Sequence, residues 1–120
     1  MKSRGDRGEQ VAVDYLEQRG YRVVDRAAVI VAEDFRGELD IVCVDESGAT
    51  VVFVEVKYRA TALDGAGVAA VSPAKLRRVR QASGVWMAQH REDVGGWKQC
   101  RVDVIDVGPD GVRLHLENVW

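Results

Sequence analysis

Residues 38–58, ELDIVCVDESGATVVFVEVKY, decide the fold of this chain. Residues 38–44 and 50–58 are two strand-like apolar segments, and the turn at 46–48 between them predicts an antiparallel β-hairpin. The second segment is so apolar that we expect a central strand covered on both faces. A charge at the end of such a strand would be costly unless a partner stabilised it.

Two elements are expected on the N-terminal side of the hairpin. Asp6 is placed as the N-cap of an amphipathic helix that Gly20 ends. Residues 21–32 are rich in valine, isoleucine and alanine, which predicts a strand. A charged pair in its middle predicts a bend or an early end.

On the C-terminal side, a small, glycine-rich loop at 60–71 precedes Ser72 and Pro73, a pair typical of a helix start. Residues 98–107 and 112–119 then alternate as two more strands. The sequence therefore predicts an α/β fold of one domain, with a sheet and helices in the order α-β-β-β-α-β-β.

Composition limits the class of protein. The chain has 120 residues, of which 47% are hydrophobic and 30% charged, as in one soluble domain. No apolar stretch approaches the roughly 18 residues of a membrane span, so we expect no membrane partner and a cytoplasmic protein. Cys43 and Cys100 lie in apolar runs and are expected to be buried thiols. A net charge of −2 argues against a protein that coats nucleic acid through charge alone.

Three charged residues of the hairpin form a candidate catalytic centre. Glu55 and Lys57 point to one face because side chains alternate along a strand, and the hairpin brings Asp40 alongside Glu55. Two adjacent carboxylates stay ionised at neutral pH if they share a divalent cation, which predicts a Mg²⁺ or Mn²⁺ site. The Lys57 ammonium could position a water and offset charge on a phosphate, so the arrangement favours metal-assisted phosphodiester hydrolysis.

The centre and the segments around it resemble a known family. Asp40 followed by Glu55-Val56-Lys57 on a hairpin is similar to the D...E-x-K signature of the PD-(D/E)XK nucleases. Nearly the whole chain resembles the YraN-like family of uncharacterised proteins in that superfamily. The segments that carry this resemblance are Gly5-Asp6-Arg7-Gly8-Glu9, Gly37-Glu38-Leu39-Asp40, Val52 to Lys57, Lys75, and Arg101-Val102-Asp103-Val104.

The resemblance implies a restriction-endonuclease-like mixed β-sheet flanked by helices, and metal-dependent cleavage of nucleic acid, in particular branched DNA. It also implies a homodimer. Asp40 and Glu55 would hold the metal and Lys57 would assist the attacking water. Glu9 would add a carboxylate from the first helix, and Glu38 would be an outer group beside Asp40.

Four basic residues are candidate nucleic-acid contacts: Arg59, Lys75, Arg77 and Arg78. The last three lie near a helix start, which favours phosphate binding, although a solvated helix face fits them equally well. Residues 26–36 depart from the usual family pattern, so that stretch gives no firm expectation about substrate contacts.

Three alternatives stay open at this stage. Asp6-x-x-Glu9 also fits a capping box, in which the glutamate side chain returns to the helix start. The chain could be a non-catalytic module that keeps the nuclease fold to bind nucleic acid or a protein. The cluster of Asp40, Glu55 and Lys57 could also be only a buried ion network that stabilises the fold.

Overall fold

The structure, a computed structural model, describes residues 4–58, 71–90, 92 and 99–119, with side chains from Gly8 onward. Arg59 and most of the predicted loop at 60–71 lie outside these residues. Within them the chain forms two helices and five strands, and the predicted order α-β-β-β-α-β-β is confirmed. These elements are α1 (Arg4–Gln18), β1 (Arg22–Ala32), β2 (Phe35–Val44), β3 (Thr50–Tyr58), α2 (Pro73–Gln89), β4 (Gln99–Gly108) and β5 (Gly111–Leu116).

The strands form one mixed sheet in the order β1-β2-β3-β4-β5. β3 and β4 are parallel, whereas the other neighbours are antiparallel. The strand expected to be central is central, and residues 51–55 are buried. Of the described helices, none is both long and apolar enough to span a bilayer.

The two helices cover opposite faces of the sheet, because alternate residues of β3 belong to different cores. Val52 and Val54 pack with Leu16 of α1, in what we call the α1-side core. Val51 and Phe53 pack with α2 residues such as Trp86, in the α2-side core. Glu55 and Lys57, which continue the second alternation, therefore lie on the α2 side.

The helix starts agree with the sequence in one case and differ in the other. Ser72 is the N-cap of α2, as predicted, and its Oγ accepts a hydrogen bond of 3.1 Å from the Lys75 N–H. α1, however, begins at Arg4. The prediction that Asp6 is the N-cap was wrong, because Asp6 lies inside the helix, so the capping box with Glu9 loses its basis.

Two further expectations had different outcomes. Cys43 is buried, as predicted, whereas Cys100 is exposed, because it lies at the start of β4 and the buried part of that strand begins at Val102. The bend predicted in β1 is present as a register shift between Val23 and Asp25, and the strand nevertheless continues to Ala32.

A polar network on the α1 side joins β4, β5 and α1. Asp103 is fully buried and accepts hydrogen bonds from Arg101 Nε (3.0 Å), His115 Nε2 (2.8 Å) and the Asn118 N–H (3.0 Å). The Tyr15 hydroxyl lies 3.0 Å from His115 Nδ1 and extends the network to α1. Burial by itself would raise the pKa of Asp103, but these hydrogen bonds outweigh it and lower the pKa below its ordinary value.

Asp103→Asn is expected to lower the free energy of unfolding by about 3 kcal/mol at pH 7, because it breaks a buried charged network. A lowered folded-state pKa contributes stability above the ordinary pKa of the group and loses it as the pH falls, so the difference from wild type should shrink below about pH 4. Urea titrations at pH 7 and below pH 4 measure the difference in the free energy of unfolding between wild type and variant. Asp110→Asn, in the exposed β4–β5 turn, is the control, and equal effects of the two substitutions would contradict the expectation.

Candidate functional site

Asp40 lies where β2 changes its orientation in the sheet. Leu39 packs in the α2-side core, whereas Ile41, two residues later, packs in the α1-side core. Regular alternation would place both on one side. Ala27 of β1, between the residues that pair with Ile41 and Leu39, has a left-handed φ of 46°, and the pairing of β2 with β3 ends at Ile41 and Val54. Asp40 is therefore at an irregularity where β2 leaves β3.

At this point the Asp40 side chain, instead of the backbone of β2, accepts a hydrogen bond from β3. Its Oδ2 accepts a hydrogen bond of 2.9 Å from the Val56 N–H, in the strand that carries Glu55. A buried backbone N–H without an acceptor would cost free energy, so this bond stabilises the end of β3. It also fixes the Asp40 carboxylate beside Glu55.

Glu55 is a buried acid with an unusual pKa. Its exposed fraction is only 4%, and it is the last buried residue of β3. Burial, followed by the nearby Asp40 carboxylate and a hydrogen bond to it, raises the pKa of Glu55 to about 7, although Lys75 and Lys57 act in the opposite direction. The sequence predicted that the two carboxylates converge, and the structure brings them together.

Two lysines contact this buried carboxylate. Lys57 Nζ and Lys75 Nζ each lie 3.7 Å from Glu55 Oε1. The exposed fractions of their side chains are 32% and 44%, against 5% for the Glu55 side chain. Lys75 was predicted as a nucleic-acid contact, and the first turn of α2 carries it into the same cluster as Lys57. The Glu55 carboxylate is thus on the inside and the two ammonium groups face outward.

Sequence reasoning missed another buried acid beside the cluster. Asp106 of β4 is the register partner of Lys57, has an exposed fraction of 4%, and shares its face of the sheet. Arg113 Nη2 of β5 lies 3.7 Å from Asp106 Oδ1. Glu55, Lys57, Asp106 and Arg113 therefore form a row of alternating charge across three strands. The signal in the sequence was an aspartate between the apolar residues Ile105 and Val107 of β4.

Glu9 approaches the same end of the sheet from the other face. Its Oε1 accepts a hydrogen bond of 3.3 Å from Arg26 Nε, and Arg26 adjoins the irregularity at Ala27. A Cβ placed on Gly8 would lie 3.1 Å from the Cβ of Tyr58, so α1 sits closely on the end of β3. The ion pair with Arg26 is a structural role for Glu9. That it adds a carboxylate to the candidate centre stays a prediction.

The other predicted residues lie near the cluster or outside the described chain. Glu38 and Arg78 line a cleft of about 300 Å³ that also includes Lys75. Arg77 is exposed on α2. Arg59 falls outside the described residues, so its predicted contact with nucleic acid has no structural description.

A second group of possible metal ligands occurs in the polar network of β4 and β5. Asp103, His115 and Glu117 each offer an atom within 4.8 Å of the others. Arg101 Nη2 lies between two of them, 3.2 Å from Asp103 Oδ2 and 3.3 Å from Glu117 Oε1. Because the guanidinium already supplies positive charge there, we assign this group a structural role.

Comparison with known proteins gives close sequence relatives. The family described as "Uncharacterised protein family UPF0102" matches residues 8–107. The UPF0102 protein of Mycolicibacterium gilvum (strain PYR-GCK) is 40% identical over 122 residues, covering 96% of this chain and 91% of the relative. The UPF0102 protein of Mycobacterium tuberculosis (strain ATCC 25177 / H37Ra) is 41% identical over 117 residues, covering 95% and 80%.

One solved structure is similar at a much greater distance. The crystal structure of an XisH family protein from Nostoc punctiforme PCC 73102 has 12% identity and a TM-score of 0.44, covering 91% of this chain and 98% of that one. A likeness at this level says nothing about the residues of the site.

The raised pKa of Glu55 makes the stability of the metal-free protein fall with pH. A folded-state pKa of about 7, above the ordinary 4.5, contributes stability below pH 4.5 that is lost as the pH rises through 7. Glu55→Gln removes this loss, so between pH 5 and pH 8 the variant should lose less stability than wild type, by up to about 3 kcal/mol. Urea titrations in EDTA at the two pH values measure the difference.

Glu38→Gln is the matched control, since Glu38 is exposed on the neighbouring strand. The same pH dependence in wild type and Glu55→Gln would show that Glu55 ionises as it does in water.

Proposed function

We infer that this chain, which belongs to the family described as Uncharacterised protein family UPF0102, is a nuclease-like protein that hydrolyses phosphodiester bonds in nucleic acid with a divalent metal. Family membership confirms the resemblance to YraN-like proteins. The observation that carries the proposal is the convergence of Asp40, Glu55, Lys57 and Lys75 at the end of β3, with both ammonium groups 3.7 Å from Glu55 Oε1.

The donor set fits a hard divalent cation. Two carboxylates lie together, and burial followed by the Asp40 charge raises the pKa of Glu55 to about 7 despite two lysines, so a cation between the carboxylates would stabilise their ionised forms. Oxygen donors of this kind suit Mg²⁺ or Mn²⁺, which Asp40 and Glu55 would hold. When bound, such a cation supplies Lewis-acid stabilisation of the charge on the reacting phosphate.

The side chains of the chain itself have separate tasks in this proposal. The Val56 N–H holds the Asp40 carboxylate in place beside Glu55. Lys57 and Lys75 extend from Glu55 toward solvent, where their ammonium groups can bind a phosphate and orient the attacking water. In the reaction, the water oxygen bonds to phosphorus and loses a proton, the bond from phosphorus to one sugar oxygen breaks, and a proton is taken up by that sugar oxygen.

Of three narrower parts of the proposal, the substrate and the dimer rest on the family resemblance and the location rests on the sequence composition. We propose DNA, in particular branched DNA, as the substrate, a homodimer as the working form, and the cytoplasm as the location. A non-catalytic module that binds nucleic acid or a protein is the second candidate, and the net charge of −2 favours it. The two candidates differ in whether Asp40 is needed for cleavage or only lies near bound nucleic acid.

Cleavage assays test the catalytic proposal. Wild-type protein is expected to cut at least one of single-stranded, duplex, flapped or four-way-junction DNA with Mg²⁺ or Mn²⁺. Asp40→Asn and Lys57→Ala should each reduce the rate by roughly 10² to 10³, because the first removes a proposed metal ligand and the second removes a cation that can bind the reacting phosphate.

Glu33→Gln, in the exposed β1–β2 turn, is the control and should cut at the wild-type rate. A folded wild-type protein that cuts none of these substrates, while Asp40→Asn still binds them, would favour the non-catalytic module.

Metal binding has its own readout in thermal melts. A ligand that binds only the folded state stabilises it by about 2.7 kcal/mol at one hundred times Kd, so Mn²⁺ should raise the melting temperature. The increase should be smaller at pH 6 than at pH 8, because Glu55 must lose its proton to bind a cation. Asp40→Asn should abolish the increase and Glu33→Gln should keep it. An equal increase in both variants would place metal binding elsewhere.

A further inference from the structure

A basic cleft adjoins the candidate centre on the α2 side of the sheet. It has a volume of about 300 Å³ and lies between the start of β2 and the first two turns of α2. Three of its side chains are cations and one is an acid. The lining residues are Arg36, Gly37, Glu38, Lys75, Arg78 and Val79.

The cleft and the candidate centre share one residue. Lys75 lines the cleft, and its Nζ lies 3.7 Å from Glu55 Oε1. A ligand in the cleft is therefore within one side-chain length of the carboxylate cluster. A nucleic-acid strand that presents one phosphate to the centre would bring a neighbouring phosphate to the cleft.

The cleft is built around a fixed guanidinium. Arg78 Nη2 donates a hydrogen bond of 2.7 Å to the Arg36 carbonyl, and Arg78 Cζ lies 5.6 Å from the centre of the Phe35 ring. Gly37 makes room for that ring, since a Cβ there would lie 2.7 Å from Phe35 Cζ. Within the described part of the chain, the bond to Arg36 uses one of the five N–H donors of Arg78, so others can serve a ligand.

Charge indicates which anion the cleft fits. Arg36, Lys75 and Arg78 favour an oxyanion, and guanidinium groups match the oxygens of phosphate. The Glu38 carboxylate at the same cleft opposes a dianion such as a terminal phosphate more strongly than the singly charged phosphate of a diester. With three cations and one acid the cleft attracts any phosphate, and Glu38 reduces the advantage that a dianion would otherwise have over an internal phosphate of a strand.

We propose that this cleft binds a backbone phosphodiester next to the bond that is cleaved, with Arg36 and Arg78 as the phosphate contacts and Glu38 as the group that disfavours strand ends. This inference rests on the proposed function for its substrate class. It gives Arg36 a role in positioning the strand, and it gives Glu38 a role in substrate choice rather than in the surroundings of a metal.

Binding without cleavage tests the proposal. Fluorescence anisotropy of labelled single-stranded and four-way-junction DNA in EDTA gives Kd at several salt concentrations. Arg36→Ala should weaken binding about five- to tenfold and reduce the salt dependence by about one phosphate contact. Arg22→Ala is the matched control and should leave Kd unchanged. It removes the same charge at the start of β1, whereas Arg36 pairs with Val31 near the end of that strand.

A second variant is expected to change the affinity for DNA in the opposite direction. Glu38→Gln should tighten binding of internal strand a few-fold, and should tighten binding of an oligonucleotide with a 5′-phosphate end more strongly still. Equal effects of Arg36→Ala and Arg22→Ala, or no binding of DNA by wild type, would overturn the inference. Binding that depends on Arg36 in a protein that cuts nothing would support the cleft and defeat the catalytic proposal, so the two failures are distinguishable.

Discussion

The hydrogen bond from the Val56 N–H to Asp40 Oδ2 connects the fold to the candidate chemistry. It lies at the point where β2 stops pairing with β3 and where Leu39 and Ile41 enter opposite cores. A carboxylate there supplies the acceptor that the backbone of β2 no longer provides. The same contact holds an acid against the end of a central strand, next to the buried Glu55. A local break in the sheet thus creates the pair of carboxylates.

The charged groups around Asp40 and Glu55 differ in their burial. Glu55 and Asp106 are each exposed by only 4%, whereas the lysines that contact Glu55 extend much further into solvent. A cation entering between the carboxylates would meet negative charge, and an anion approaching from outside would meet ammonium groups first. Burial strengthens these electrostatic interactions, because water screens charges less inside the protein than at its surface. This order of charge is compatible with the proposed metal-dependent hydrolysis of phosphodiesters.

The sequence predicted the parts of this arrangement that depend on short-range pattern. The hairpin turn fixes how residues 38–44 meet residues 50–58, so Asp40 could be placed beside Glu55 from the sequence. Strand alternation placed Lys57 on the same face as Glu55. The Ser72-Pro73 start of α2 followed from local backbone chemistry, and it is confirmed.

Long-range geometry explains what could not be predicted. Asp106 meets Lys57 only because β3 and β4 are parallel neighbours, which no local pattern specifies. Lys75 reaches Glu55 because α2 packs on the sheet. The sequence pattern does not show this packing, so it predicted that Lys75 contacts nucleic acid and not Glu55. The orientation change at Asp40 accompanies the left-handed Ala27 of β1, and α1 extends two residues beyond its apparent cap.

The sheet separates the network around Asp103 from the cluster around Glu55. Asp103 bonds with Arg101, His115 and the chain at Asn118 on the side of α1, while Glu55 lies on the side of α2. Among the described contacts, no side-chain bond joins the network around Asp103 to the residues proposed for catalysis. Substitutions on the α2 side could therefore change the candidate centre while the network on the α1 side keeps the chain folded.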